Sequence, residues 1–94
     1  MGLDLRIYAK LDCTAIDNAG NEIKSALIEE LYSTWNFNSA QTQKIIDAEN
    51  KIEQYRELLK AECENYDCNF DHYIKGFNNF VEKYKNWNII FEGI

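Results

Sequence analysis

Between Ser39 and Tyr66, apolar residues recur at steps of three and four: Ile45, Ala48, Ile52, Tyr55, Leu59 and Tyr66, with Glu62 the one charged break. That spacing draws a dry stripe along one face of a helix, and the segment is long enough for about seven turns. Asp47 with Lys51, Glu53 with Arg56 and Glu57 with Lys60 fall three or four apart off the stripe and keep the outer face wet. In a chain of 94 residues there is material for one core, so residues 1–94 are expected to form a single domain packed against this rod.

Before the rod, odd positions from Leu3 to Cys13 are apolar and even positions are mostly polar, which predicts a strand with one dry and one wet face. Asp17-Asn18-Ala19-Gly20-Asn21 has turn chemistry, because Gly and Asn accept positive φ and Asp and Asn side chains cap backbone groups. It leads either directly into a helix or first through a short hairpin. A helix over 22–35 follows from Ile23, Ala26, Leu27, Leu31 and Trp35, with Asn21 as N-cap. Asn38 or Ser39 caps the long helix, without a full capping box.

Past Asp67-Cys68-Asn69 a second stripe begins with Phe70, Tyr73, Phe77, Phe80, Tyr84 and Trp87. Two long amphipathic segments separated by three or four residues predict an antiparallel helical hairpin with the aromatic seam laid on the Ile45 to Tyr66 stripe. Gly76 inside that helix suggests close backbone approach or a large neighbouring ring. The β-prone run from Asn88 to Ile94 needs a partner, and the first strand is the evident one. The expected fold class is α+β: an N-terminal strand, three helices, and a short C-terminal strand pairing with the first and leaving two open edges.

A net charge of −6 discourages direct nucleic-acid binding, since phosphate contacts need Lys and Arg. The charge is spread as −3, −2 and −1 over residues 1–38, 39–66 and 67–94, so no acidic tail stands out. With no transmembrane run and no leader pattern, the expected setting is cytoplasmic, with no membrane contact. Three cysteines, an odd number, fit reduced thiols better than a disulfide framework.

Catalytic signals are weak. Cys63, Cys68 and His72, with Cys13 as a fourth ligand, have the residue types zinc prefers, but the C-x4-C-x3-H spacing matches no common zinc module. Cys63 or Cys68 could serve as a nucleophile with His72 as base, yet no oxyanion hole or glycine-rich phosphate cradle accompanies them. Asp17 to Glu22 has the look of a calcium loop, but Ala19 stands where a ligand is needed and Ile28 where the closing glutamate belongs. No catalytic residue and no cofactor is expected.

Met1-Gly2-Leu3-Asp4, with Tyr8, Lys10 and Leu11, resembles the opening of small phage-encoded proteins that begin MGLD-x-x-x-Y-x-K-L. The resemblance covers about a dozen residues and carries no fold or site assignment. It implies a context, because small acidic phage proteins are often inhibitors of host machinery, including CRISPR and other defence complexes.

The expected function is a non-catalytic interaction protein that inhibits a host or defence complex through an acidic helix face or the open sheet edge. Glu49, Glu53 and Glu57, spaced by four, would form a negative ridge for a partner with a basic surface. Arg6, Tyr8 and Lys10 share the wet face of the first strand and are a second contact candidate. Two alternatives stay open: a self-assembling module, hence a homo-oligomer, that sequesters a small ligand such as a nucleotide, and a small domain stabilised by zinc on Cys63, Cys68 and His72.

Overall fold

The computed structural model describes residues 3–32 and 35–94. Met1 and Gly2 of the opening motif, and Ser33 and Thr34 of the expected first helix, lie outside the described residues. The order of elements is β1 (Leu5–Ile16), β2 (Glu22–Leu31), α1 (Ser39–Asp47), α2 (Lys51–Asn65), α3 (Phe70–Lys83) and β3 (Asn88–Gly93). The fold is α+β, with three helices and one antiparallel sheet of order β2-β1-β3.

The alternation that marks β1 holds as far as Cys13; the strand itself runs on to Ile16, with Thr14, Ala15 and Ile16 all exposed. β1 is the central strand, and the expected meeting of the two ends of the chain occurs there: Ile7 stands opposite Phe91 and Ala9 opposite Ile89. Reciprocal amide bonds of 2.9 Å between Asp4 and Ile94 carry the ladder past the strand ends. Gly93 leaves room for neighbours, since a Cβ there would come within 2.5 Å of Leu3 Cδ1 and 2.9 Å of Ile46 Cδ1.

The expected helix over 22–35 is corrected: Glu22–Leu31 is a strand, paired with β1 from Ile7↔Leu31 to Ile16↔Glu22. The turn decides this. Asp17 and Asn21 close a three-residue loop in which the Gly20 amide donates to Asp17 O at 3.1 Å, the Asp17 amide donates to Asn21 O at 2.9 Å, and Gly20 takes φ 83°. A type I turn followed by a left-handed glycine reverses the chain with the twist a hairpin needs. Ten registered pairs with β1 then outweigh the helix propensity of Glu, Lys, Ala and Leu.

The expected single rod over 39–66 is corrected as well, because it breaks at Ala48-Glu49-Asn50. Ala48 is extended (φ −71°, ψ 147°), and the Asn50 side chain caps α2 by accepting from the Glu53 amide at 3.2 Å. Breaking the rod lets both pieces keep their stripes on the sheet: Thr42 and Ile45 from α1, and Tyr55, Leu59 and Cys63 from α2, are all buried. A full capping box, not foreseen, starts α1. Asn38 Oδ1 accepts from the Gln41 amide at 2.8 Å, and the Asn38 amide donates to Gln41 Oε1 at 2.9 Å, so Asn and Gln perform the exchange usually made by Ser and Glu.

α3 puts its aromatic seam into the core: Phe77 and Phe80 are buried, and Phe70, Tyr73, Tyr84 and Trp87 are half-buried against it. Phe77 stacks on Tyr55 of α2 and meets Phe91 of β3 at 6.2 Å. Rings from two helices and a strand therefore close one cluster. The expectation for Gly76 fails, since a Cβ placed there would meet nothing within 4 Å. Among the described residues no helix is long and apolar enough to cross a membrane.

Candidate interaction surface

Along Ile7–Lys10, β1 lies between β2 and β3, but β3 ends at the Lys10↔Asn88 pair. From Leu11 to Ile16 only β2 accompanies it. The result is a two-stranded arm in a molecule measuring 60 × 28 × 22 Å. Burial falls off along the arm. Ile7 and Ala9 are sealed under the helices, Leu11 and Cys13 are half-buried, and Ile16 is 74% exposed.

The face that forms the core at the base of the sheet continues onto the arm as Leu11, Cys13 and Ala15 beside Leu27, Ser25 and Ile23. On β2, Ile23, Leu27 and Ile28 are 50%, 53% and 51% exposed, and Tyr32 just beyond is 83% exposed. An isolated two-stranded ribbon is marginal in water, and a free edge carrying branched aliphatics is a template for strand addition. On this face the arm is mostly apolar, and among the described residues no strand lies along its outer edge.

The opposite face carries Ile16, Ile28 and Ile90 but is otherwise mostly polar, and its cations Arg6 and Lys10 are satisfied from within. Arg6 Nη1 donates to Glu92 Oε1 at 2.7 Å, Arg6 Nε donates to Glu30 Oε1 at 2.8 Å, and the guanidinium lies 4.2 Å from the Tyr8 ring centroid. Tyr8 donates to Glu92 Oε2 at 3.3 Å, and Lys10 lies 3.8 Å from Asp12. Hydrogen bonds from the Arg6 guanidinium to Glu92 and then to Glu30 raise its pKa well above the usual range. Arg6, Tyr8 and Lys10 do share one face as expected, and acids on β2, β3 and β1 already answer its two cations.

The acidic ridge is interrupted. Glu49 lies in the break before α2, whereas Glu53 and Glu57 are exposed on α2 and Glu53 pairs with Arg56 at 2.7 Å. Cys63 is in the core, Cys68 next to it is half-buried and directs Sγ to Tyr66 O at 3.6 Å, and Cys13 sits on the arm. His72 is exposed on the first turn of α3, edge-on to Tyr73. Burial pushes the Cys63 thiol pKa up, against any role as a ready nucleophile. Among the described residues no group of three His, Cys, Asp or Glu is arranged to hold a metal ion.

Sequence reasoning missed Ile23, Leu27 and Ile28 as surface residues because the stripe through Ile23 and Leu27 read as the buried side of a helix. The available signal was the Asp-x-x-Gly spacing in 17–20, which suits a three-residue hairpin loop. Comparison of the chain with protein-family models, curated proteins and solved structures finds no match.

Proposed function

We propose that this chain is a non-catalytic interaction protein that takes up a partner polypeptide on the edge and apolar face of the β1–β2 arm. The observation that carries the reading is the half-exposure of Ile23 and Leu27 on the apolar face, and of Ile28 on the other, along a strand whose outer edge has no partner among the described residues. Aliphatics on such an edge give a second chain both main-chain hydrogen bonds and side-chain contacts. In this reading α2 and α3 act as an antiparallel helical hairpin that holds the base of the arm rigid. The resemblance of the opening residues to phage proteins directs the search for partners to host and defence complexes.

Site-specific photo-crosslinking in expressing cells tests this. A crosslinking side chain at position 27 is expected to capture a protein, and one at position 57, on the acidic face of α2, is not. Capture at position 57 alone would move the contact to the acidic helix and overturn the reading, as would capture at neither position.

A further inference from the structure

A strand that adds to the outer edge of β2 has to match it residue by residue. We infer that this strand is β2 of a second copy of the chain, antiparallel about a two-fold axis through Leu27, so that two three-stranded sheets join into one of six. The inference rests on the reading above and names the partner.

Antiparallel edge pairing about a two-fold axis perpendicular to the sheet leaves every side chain on its own face, so odd residues oppose odd and even oppose even. With the axis at Leu27, that residue opposes its own copy, Ile23 opposes Leu31, Ala26 opposes Ile28, and Ser25 opposes Glu29. Lys24 opposes Glu30, and Glu22 opposes Tyr32. No like charges meet. Lys24 is the one cation of β2, and it gains the carboxylate that already accepts from Arg6 at 2.8 Å, so two cations would flank Glu30.

Neighbouring registers do worse. An axis at Ala26 sets Glu22 against Glu30, Ile23 against Glu29, and Lys24 against Ile28. An axis at Ile28 sets Leu27 against Glu29 and Ala26 against Glu30, and it carries Ile23 beyond the end of the strand. An axis at Ser25 pairs only residues 22–28 and leaves Glu29–Leu31 facing the turn of the other copy. Like charges directly opposite are unfavourable and apolar pairs favourable, so the sequence of β2 selects the Leu27 register.

An independent feature meets it there. Leu31 shares the core face with Ile7, and beside it opens a cleft of about 270 Å³ lined by Tyr32, Tyr55, His72, Tyr73, Gly76 and Phe77. In the Leu27 register the Ile23 side chain of the second copy arrives opposite Leu31, on the face where this cleft opens. Gly76 leaves space on that side, since nothing lies within 4 Å of a Cβ built there. Ile23, half-exposed in the single chain, finds apolar cover in the pair.

Sedimentation of the full chain over a range of concentrations is expected to show a reversible monomer–dimer equilibrium, weakened at least tenfold by Leu27→Lys while the circular dichroism spectrum is retained. Leu27→Thr, a strand-compatible change, is expected to weaken it less. The register is read by Leu27→Cys in a Cys13→Ser, Cys68→Ser background with oxidised glutathione. Opposed residues of an antiparallel pair lie within about 4.5–5.5 Å between Cα atoms, inside disulfide reach. Ser25→Cys in the same background places its two copies four residues apart along the strands, roughly 13 Å, and is expected to stay uncrosslinked. A chain that stays monomeric at every concentration overturns the second-copy inference, and capture of a different protein at position 27 would then leave the arm reading standing. A dimer indifferent to Leu27→Lys, or one that crosslinks through Ser25→Cys and not Leu27→Cys, overturns the edge and register assigned here.

Discussion

Tyr55 of α2 and Phe77 of α3 stack with ring centroids 4.2 Å apart and 23° between their planes, and Phe91 of β3 lies within 6.4 Å of both. This contact ties two helices and the sheet at one point, and Phe77 is among the largest fully buried side chains. Offset stacking adds to the area the ring buries. Phe77→Ala should therefore cost about 3–5 kcal/mol, a large share of the roughly 5–15 kcal/mol that holds a domain together. Urea denaturation reads the change directly, and a loss under about 1 kcal/mol would show that the cluster collapses around the cavity and is not the keystone described.

α2 ends through a residue in an unusual conformation. Asp67 has φ 55°, while the Cys68 amide donates to Cys63 O at 2.8 Å and the Asp67 amide donates to Glu64 O at 3.5 Å. That is the hydrogen-bond pattern of a Schellman cap with Asp where glycine is usual. A side chain in the left-handed region is strained, so Asp67→Gly is expected to stabilise by about 0.5–1 kcal/mol. A rise in melting temperature checks it, at about 4–8 °C per kcal/mol for a chain of this size. A fall would mean that the carboxylate makes a contact worth more than the strain.

Much of this architecture was legible beforehand, and the failures share a cause. β1 as far as Cys13 and β3 are legible because period-two alternation and a short β-prone run have few rival interpretations, and the α3 seam because six aromatics at helical spacing leave little choice. The 22–31 segment misled because Ile23, Ala26, Leu27 and Leu31 fit a helical stripe, while as a strand it shows no clean alternation: Leu27 and Ile28 point to opposite faces and neither is buried. A strand that buries little leaves little pattern. The break at 48–50 was hidden because the stripe runs through it in phase, with Ile45 and Ile52 both packing on the core. The proposed surface was illegible for the same reason as β2 itself, since exposed aliphatics become visible as such only once the pairing partner is known.

Thr42 carries a hydroxyl with nowhere to go. The residue is fully buried on α1, and its Oγ1 has no hydrogen-bond partner among the described residues. Leaving such a group unpaired in an apolar site costs about 1–3 kcal/mol, whereas a methyl of the same shape carries no such penalty. Thr42→Val should raise stability by about 1 kcal/mol, measured by the urea midpoint at constant slope. Destabilisation would reveal that the hydroxyl is satisfied, and Thr42→Ser, which keeps the oxygen and loses the methyl, would then be the milder change.

The turn that sets the register of the arm depends on one carboxylate. Asp17 Oδ1 accepts from the Asn21 amide at 2.8 Å and from the Ala19 amide at 2.9 Å, and Oδ2 accepts from Asn21 Nδ2 at 3.3 Å. These bonds, that from the Asn21 amide foremost, hold its pKa below the ordinary value of 3.8. A group whose pKa is depressed by folding contributes stability that is present above its unfolded value and lost as the pH falls through its folded value. The hairpin should thus be indifferent to pH from neutrality down to about 3.8 and loosen only below it. In an NMR titration the Ala19 and Asn21 amide shifts should move together with a midpoint under 3.8, and Asp17→Asn should remove that step. A midpoint at or above 3.8 would mean that the carboxylate is not organising the loop. Gly20 alone would then hold the reversal on which the pairing of β2 with β1, and the presentation of Leu27 at the edge, depend.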